Sequence, residues 1–230
     1  MTAERGDPEG EVHWRTRPLG VERAPRGRSP LSRVELVRAA AIAHPAARAR
    51  FVAGRRLLRE TIAEVRPDLS ADAVDLEVER SGRLRVRGHP ELEVSISHTR
   101  GLVAVAVSTA GPVGIDVEQV GRGGLPPSET WSTQAERLRL AALEDRSRGP
   151  WLLRLWVAKE AGLKAVPSRT LPRRRIEIAS DGTRAYPVDG LGWPDPDGPV
   201  LGLTWEQIGP RYLLALATRP GAVITGEALR

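Results

Sequence analysis

Similar segments occur in the same order in the two halves of this sequence. Each half begins with helical segments and ends with short strands separated by turns. In the helical part, residues 51–53 match 156–158 and residues 58–59 match 163–164, both at an offset of 105. In the strands, residues 76–78 match 176–178, residues 94–97 match 201–204, and residues 102–108 match 212–218. This order predicts an α+β fold, a pseudo-twofold duplication of two similar subdomains, each with helices and a small antiparallel sheet. We expect the ligand site at their interface.

Composition and periodicity divide the chain into four parts. Residues 1–30 are rich in Gly, Pro, Arg and Glu without apolar periodicity, which predicts a flexible leader. Residues 31–111 and 112–218 are the predicted N-terminal and C-terminal subdomains. Residues 219–230 are predicted to form a loose tail.

Apolar spacing and turn residues predict the individual elements. Ser32, with Glu35 as a capping box, should start a helix that ends near Ala43. A helix in the second half is predicted to begin at Ser128 or Ser132, and the next at Pro150 or Trp151. The helix that begins at Pro150 or Trp151 is predicted to end at 165. The remaining predicted elements are a helix over 46–65 and strands over 74–79, 84–86, 93–97, 102–108, 113–118, 175–179, 200–205 and 212–218.

Composition limits the classes of function. The chain has no cysteine, which excludes disulfides and thiolate metal sites, and no apolar run approaches 18 residues, so we expect a cytoplasmic protein with no membrane partner. A net charge of +6 and a pI of about 10.7 predict an acidic partner: nucleic acid, a phosphorylated small molecule or an acidic protein.

The lysines are confined to one helical segment. Only two of the 35 basic residues are lysine, Lys159 and Lys164, and Glu160 lies between them. Glu160 and Lys164 are four residues apart and therefore share one face of a helix. Because lysine is a compact charge suited to phosphate, the segment indicates a phosphate ligand. An ordinary pair on the helix surface is the alternative.

Two carboxylates lie on one face of the predicted strand over residues 113–118. Asp116 and Glu118 are two residues apart, and Val113, Ile115 and Val117 alternate with them on the other face. Neighbouring carboxylates repel each other unless a cation lies between them, and their hard oxygen atoms suit Mg²⁺ or Mn²⁺. A solvated edge strand is the alternative interpretation.

Residues 95–99, Ser-Ile-Ser-His-Thr, place small hydroxyls and an imidazole at the end of a strand. Such groups bind phosphate esters, although a turn histidine bonded to backbone is also common for a single His. The sequence contains neither a nucleophile elbow nor a Walker A loop, which excludes those two classes of site.

Together these motifs resemble the Sfp-type 4′-phosphopantetheinyl transferases. The resemblance covers residues 32–218 and rests on S-x-S-H-T (95–99), V-G-I-D-V-E (113–118) and W-V-A-K-E-A-G-L-K (156–164). The helix around Arg50, Gly54 and Arg55 is similar to the family's N-terminal motif, and Gly82-Arg83 to its Gly-Lys-Pro turn. Two departures are Val94-Ser95, where the family usually has Phe-Asn, and Leu84, where it has Pro.

The resemblance implies a reaction and a set of residues. The 4′-phosphopantetheine group of coenzyme A would pass to a serine of an acidic carrier protein of polyketide, non-ribosomal peptide or fatty-acid synthesis. Glu160 and Lys164 would be catalytic, Glu160 as proton acceptor and Lys164 as a cation beside the diphosphate. The implied Mg²⁺ ligands (Mn²⁺ being possible) are Asp116, Glu118 and Glu160, and the implied coenzyme ligands are Arg50, Arg83, Ser97, His98, Thr99, Lys159 and Lys164.

Alternatives remain at this stage. Lys159 could brace the acidic residues instead of contacting phosphate, and Trp131 and Leu138 could contact the carrier or pack in the core. A degenerate family member would bind coenzyme A or a carrier without catalysis. A nucleic-acid-binding module ranks lower, because aromatic residues make up only 4% and the arginines are dispersed. We expect a monomer that binds no nucleic acid.

Overall fold

The computed structural model describes residues 10–20, 31–121, 124–166, 172–189, 195 and 198–228. Within these ranges the chain forms eleven strands, four α-helices and two short 3₁₀ turns. The helices are α1 (Arg33–Ala41), α2 (Pro45–Val65), α3 (Gln134–Ala141) and α4 (Asp145–Ala165). The strands are β1 (Glu11–Pro18), β2 (Leu76–Val78), β3 (Leu84–Val86), β4 (Glu93–Thr99), β5 (Leu102–Ser108), β6 (Val113–Gln119), β7 (Ile176–Ile178), β8 (Arg184–Pro187), β9 (Leu201–Ile208), β10 (Tyr212–Thr218) and β11 (Val223–Ala228).

The strands form two sheets, and the class is α+β as expected. One sheet has the order β11-β1-β5-β4-β3-β2 and the other the order β6-β10-β9-β8-β7. All neighbours are antiparallel except β1 and β11, which run parallel. The order β5-β4-β3-β2 in the first sheet thus has a counterpart in β10-β9-β8-β7 of the second.

Three apolar clusters hold this arrangement together. Alternation along β5 sends Val103, Val105 and Val107 into a cluster with α2, whereas Leu102, Ala104 and Ala106 join a cluster between the sheets. The cluster between the sheets also contains Val113, Ile115 and Val117 of β6. The third cluster joins α4 to the outer face of the second sheet. The intervening residues of β6, Gly114 and Asp116, therefore lie on the side of α4.

The N-terminal residues contradict the prediction of a wholly flexible leader. Residues 11–18 form β1, which pairs with β5, and Val12 and Trp14 are buried. Alternating apolar and charged side chains produce this strand, but arginine and glutamate at the exposed positions hide the alternation from a reading of composition. The predicted loose tail is also wrong, because residues 223–228 form β11 against β1. Residues 1–9 and 21–30 of the predicted leader lie outside the described residues.

The helix starts differ from the predictions in the second half. The capping box of Ser32 and Glu35 is present as predicted. The helix α3 is instead capped by Thr133, with Glu136 completing a second capping box. The helix α4 begins at Asp145, and Pro150 lies inside it. Pro150 therefore removes one backbone hydrogen bond from the helix instead of starting it.

The two long helices correspond at an offset of 100 and not 105. Both contain 21 residues, and they begin at Pro45 and Asp145. Seven of the eight buried positions of α2 have a buried counterpart in α4 at this offset. Arg59 and Lys159 are such a pair. Each binds the glutamate of the preceding capping box: Arg59 lies 2.6 Å from Glu35 and Lys159 2.7 Å from Glu136.

No helix among the described residues has the length and the apolar character needed to cross a membrane.

Candidate active site

A cavity of about 670 Å³ opens between α2, β4 and β6. Five basic side chains line it, and one carboxylate, that of Asp116, lies among them. The basic residues are Arg38, Arg50, Arg55, His98 and Lys164. An adjoining cavity of about 590 Å³ shares Arg50 and His98 with the first. This excess of positive charge makes the cleft suited to a ligand that carries several phosphates.

Serine hydroxyls of β4 hold the edge of β6. Ser95 Oγ accepts a hydrogen bond from the backbone N–H of Ile115 at 3.1 Å, and Ser97 Oγ accepts one from Val117 at 3.3 Å. Ser97 Oγ also donates to Asp116 Oδ1 at 2.7 Å. These bonds connect β4 of the first sheet to β6 of the second, two strands that are not paired with each other in either sheet. The Ser-x-Ser pattern therefore places Asp116 at the cavity.

The hydroxyls of Ser97 and Thr99 each donate a hydrogen bond within the protein. Thr99 Oγ1 donates to Glu118 Oε2 at 3.0 Å, which parallels the bond from Ser97 to Asp116. Both hydroxyls therefore have a positioning role, and their contact with coenzyme A stays a prediction. Since both partners are carboxylates of β6, these bonds fix the acidic pair predicted from the sequence.

Asp116 has one oxygen engaged and one unpaired. Lys164 Nζ lies 2.7 Å from Asp116 Oδ1 and also donates to the carbonyl of Ile115 at 2.9 Å. Asp116 Oδ2 is buried and has no hydrogen-bond partner among the residues that the structure describes. An unpaired carboxylate oxygen in a buried position is costly unless a ligand completes it. Lys164 uses two of its three N–H donors here, and no partner among the described residues takes the third.

The donor set fits a divalent cation in part. Asp116 Oδ2, with Glu118 two residues along the same strand, offers the hard oxygen ligands that Mg²⁺ prefers. Among the residues that the structure describes, however, no group of three or more metal-binding side chains is assembled. Glu160, the third member of the predicted set, forms an ion pair with Arg173. The Arg173 guanidinium also lies 4.5 Å from the centre of the Trp156 ring.

The prediction that Lys159 contacts phosphate is wrong. Its side chain is fully buried, and its ammonium group binds Glu136 at 2.7 Å, the carbonyl of Arg173 at 3.0 Å and the carbonyl of Ile176. Burial lowers the pKa of Lys159. All three N–H donors are used inside the protein, so Lys159 braces α3 and the start of β7 but not the acidic pair of β6.

The prediction that Arg83 binds the coenzyme is also not met by the geometry. Arg83 is almost buried and pairs with Glu93 at 2.7 Å, whereas its neighbour Gly82 lines the cavity. The salt bridge engages Nη2 of the guanidinium, and Arg83 is not among the described residues that line either cavity.

Arg55 is the cavity residue that the sequence analysis underrated. Its Nη1 is buried without a partner, and Glu35 lies 3.6 Å from its Nε. Burial lowers the pKa of Arg55 to about 10, so the side chain remains charged near neutral pH. Its guanidinium stacks on Phe51, four residues earlier in α2, at 5.2 Å. In the sequence, an arginine four residues after a phenylalanine in a predicted helix indicates such a stacked pair.

His98 lies where the two cavities meet. Partial desolvation, together with the nearby positive charge of Arg50, lowers the pKa of His98. Its imidazole is therefore mostly neutral near pH 7.5 and can become a cation when an anion binds beside it.

The two candidates for carrier contact lie in different environments. Trp131 is buried in the α4 cluster, with its ring 5.3 Å from that of Trp156, so it is a core residue. Leu138 is 67% exposed on α3, and its contact with a carrier stays a prediction.

Comparison with known proteins bears on the family of this chain. Residues 112–206 match the family model described as the 4′-phosphopantetheinyl transferase superfamily. A curated relative, 4′-phosphopantetheinyl transferase HetI from Nostoc sp., is 31% identical over 159 residues. That alignment spans 65% of this chain and 65% of the relative, slightly less than two thirds of each. Both matches confirm the resemblance inferred from the motifs.

Proposed function

We propose that this protein belongs to the 4′-phosphopantetheinyl transferase superfamily and moves the 4′-phosphopantetheine group of coenzyme A to a serine of an apo carrier protein. One observation carries the proposal. Asp116, with its unpaired oxygen, and Lys164, with a spare N–H, open together into a cavity whose other charged groups are all cationic.

The arginines of the cavity would bind the nucleotide end of coenzyme A. Arg50 and Arg55 lie on α2, and Arg38 on α1 faces Arg55 across the Phe51 ring. Phosphate oxygens would satisfy the unpaired Nη1 of Arg55, and a protonated His98 would add a further contact. Binding of the phosphates thereby offsets the cost of burying this arginine in the empty protein.

In the transfer step, the serine oxygen of the carrier forms a bond to the β-phosphorus of coenzyme A. The bond from that phosphorus to the oxygen bridging the two phosphates breaks, and adenosine 3′,5′-bisphosphate leaves. Glu160, or a water molecule beside it, accepts the serine proton. Lys164 is placed to stabilise the charge that develops on the diphosphate.

Asp116 and Glu118, joined by Glu160, would hold Mg²⁺, with Mn²⁺ as a substitute. A divalent cation at this position would neutralise the diphosphate and polarise the bond that breaks. The unpaired Oδ2 of Asp116 is the feature that supports this assignment.

The acceptor partner follows from charge. A carrier protein with an acidic surface would be attracted by a chain of net charge +6, since complementary charge accelerates association. Exposed Leu138 on α3 is an apolar group that such a carrier could cover. Because each half of the chain contributes to the cleft, we propose that the monomer is the functional unit.

We further propose that the two halves arose by duplication. The corresponding sheet orders, the offset of 100 between the long helices and the paired capping boxes support this origin. In this view Lys159 is the counterpart of Arg59 and serves the fold, whereas Lys164 serves the cleft.

A second candidate function is binding of coenzyme A or of a carrier without transfer. Two observations favour it: Glu160 is paired with Arg173, and no group of three metal-binding side chains is assembled among the described residues. The two functions differ in whether a covalent product forms.

The test is the intact mass of an apo carrier after incubation with this protein, coenzyme A and Mg²⁺. Transfer should add one phosphopantetheinyl group, and either a chelator or Glu160→Gln should abolish the gain. Lys164→Ala should also abolish it, whereas Arg174→Ala serves as the control for loss of one positive charge. If acyl, polyketide and peptidyl carriers all remain unmodified while calorimetry shows coenzyme A binding, the second function holds.

A further inference from the structure

Glu160 makes its ion pair with a residue outside the acidic pair of β6. Its Oε1 pairs with the Nε of Arg173, and Glu160 lines neither cavity that contains Asp116 or His98. The proposed function needs Glu160 beside Asp116 and Glu118. Arg173 and the proposed cation site therefore compete for the Glu160 carboxylate.

The backbone of Arg173 is fixed while its side chain is comparatively free. Lys159 Nζ binds the Arg173 carbonyl at 3.0 Å, and the ion pair with Glu136 holds Lys159 in the core. The Arg173 side chain is 42% exposed and rests on the Trp156 ring. The guanidinium can therefore leave Glu160 without moving the chain that carries it, and the contact with Trp156 can keep it close.

We infer that Arg173 is a latch on Glu160: it holds this carboxylate in the empty enzyme and gives it up when a divalent cation binds with Asp116 and Glu118. This inference rests on the proposed function and assigns to that site a positioning residue that the sequence motifs do not contain. Arg173 acts through Glu160 and touches neither the coenzyme nor the reacting phosphorus.

The balance of charges supports release. A single ion pair whose arginine is 42% exposed is weakened by solvent, so it can be broken at small cost. A cation already bound by Asp116 Oδ2 and Glu118 would gain a third oxygen ligand from Glu160. The latch and the cation compete for the same carboxylate, so removing the latch should tighten cation binding.

Binding of Mn²⁺ in the presence of saturating coenzyme A gives a direct test, read from the electron paramagnetic resonance signal of free Mn²⁺. Arg173→Ala should tighten Mn²⁺ binding by about two- to fivefold, the range expected from an exposed pair. Arg173→Lys should lie between this variant and the wild type. Arg174→Ala removes the same charge from the same 3₁₀ turn and should have no comparable effect.

The Glu160→Gln background makes the test specific. Without the carboxylate there is nothing for the latch to hold, so Arg173→Ala should leave Mn²⁺ affinity unchanged there. Equal or weaker Mn²⁺ binding by Arg173→Ala in the otherwise wild-type protein would overturn the latch. If no variant retains Mn²⁺ although calorimetry shows coenzyme A binding, the cation site of the proposed function fails and the latch fails with it. If the wild type binds Mn²⁺ and transfers the group but the variants do not differ, the latch alone fails.

Discussion

Gly114 allows β6 to approach α4 closely enough for Asp116 to reach Lys164. A Cβ atom at this position would lie 1.9 Å from the carbonyl oxygen of Ala161 and 2.7 Å from the backbone nitrogen of Ala165. Both are backbone atoms of α4, so no side-chain rotation can make room. Gly114→Ala should therefore force the helix and the strand apart.

The size of the effect follows from these distances. Ordinary contact begins near 3.4 Å, so the helix and strand must separate by about 1.5 Å. Overpacking a rigid core lowers the free energy of unfolding by about 1–3 kcal/mol and sometimes more. Because the clash is with the backbone of α4 and the added Cβ is fixed to the backbone of β6, the loss for Gly114→Ala should be at or above about 3 kcal/mol. The 2.7 Å contact between Lys164 and Asp116 cannot survive a shift of that size. Coenzyme binding should weaken with it.

Urea unfolding followed by circular dichroism measures the stability, and calorimetry measures coenzyme A binding. Gly149→Ala is the matched control, because Gly149 lies in the same helix α4 with nothing within 4 Å of the added Cβ. That variant should be more stable than the wild type by about 0.5–1 kcal/mol, since alanine is the better helix former. Equal unfolding midpoints for Gly114→Ala and the wild type would refute the close approach of strand and helix.

Three further predictions concern the charged groups. The free His98 is mostly neutral near pH 7.5, and an adjacent phosphate would raise its pKa, so coenzyme A binding should take up a proton and tighten from pH 8 to pH 6. Calorimetry in two buffers of different ionisation enthalpy measures this proton uptake. If the pH dependence of coenzyme A binding persists in His98→Ala, the proton belongs to another group. Arg55→Leu removes a buried donor that has no partner among the described residues, so the free energy of unfolding should stay equal or rise by up to about 1 kcal/mol. The dissociation constant of coenzyme A should rise at least about tenfold, and an unchanged affinity would exclude Arg55 from the ligand site. Lys159→Met leaves Glu136 buried without its cation and should lower the free energy of unfolding in urea by about 3–5 kcal/mol. Adding Glu136→Gln should restore part of that loss. If Lys159→Met is fully stable but does not transfer the group, Lys159 acts in the active site.

The sequence predicted those parts of the fold whose signal is local. The strands β5 and β10 were predicted with their observed bounds, because each is a dense apolar run between turns. Asp116 and Glu118 were placed on one face by simple alternation, and the structure shows both bonded to hydroxyls of β4. Local chemistry and periodicity were sufficient for these features.

Features that depend on distant partners were not predicted. Lys159 is buried because Glu136 lies opposite it, a partner 23 residues earlier in the chain. Arg83 is satisfied by Glu93 across β3 and β4, and Arg173 was not considered because nothing in its local sequence indicates Glu160 as a partner. In a chain with 35 basic residues, the type of residue cannot distinguish a cation that binds ligand from one that binds the core.

The parallel pairing of β1 with β11 has a consequence for the order of folding. Val12 pairs with Ile224, so this contact joins positions about as far apart as the chain allows. During synthesis, β1 and β5 can pair long before residues 223–228 leave the ribosome, and until then one edge of β1 has no neighbour. Closing so long a loop is slow because its entropy must be lost before the contact forms. The nascent chain therefore carries an open strand edge until residues 223–228 emerge, and during that time pairing with another chain competes with pairing to β11.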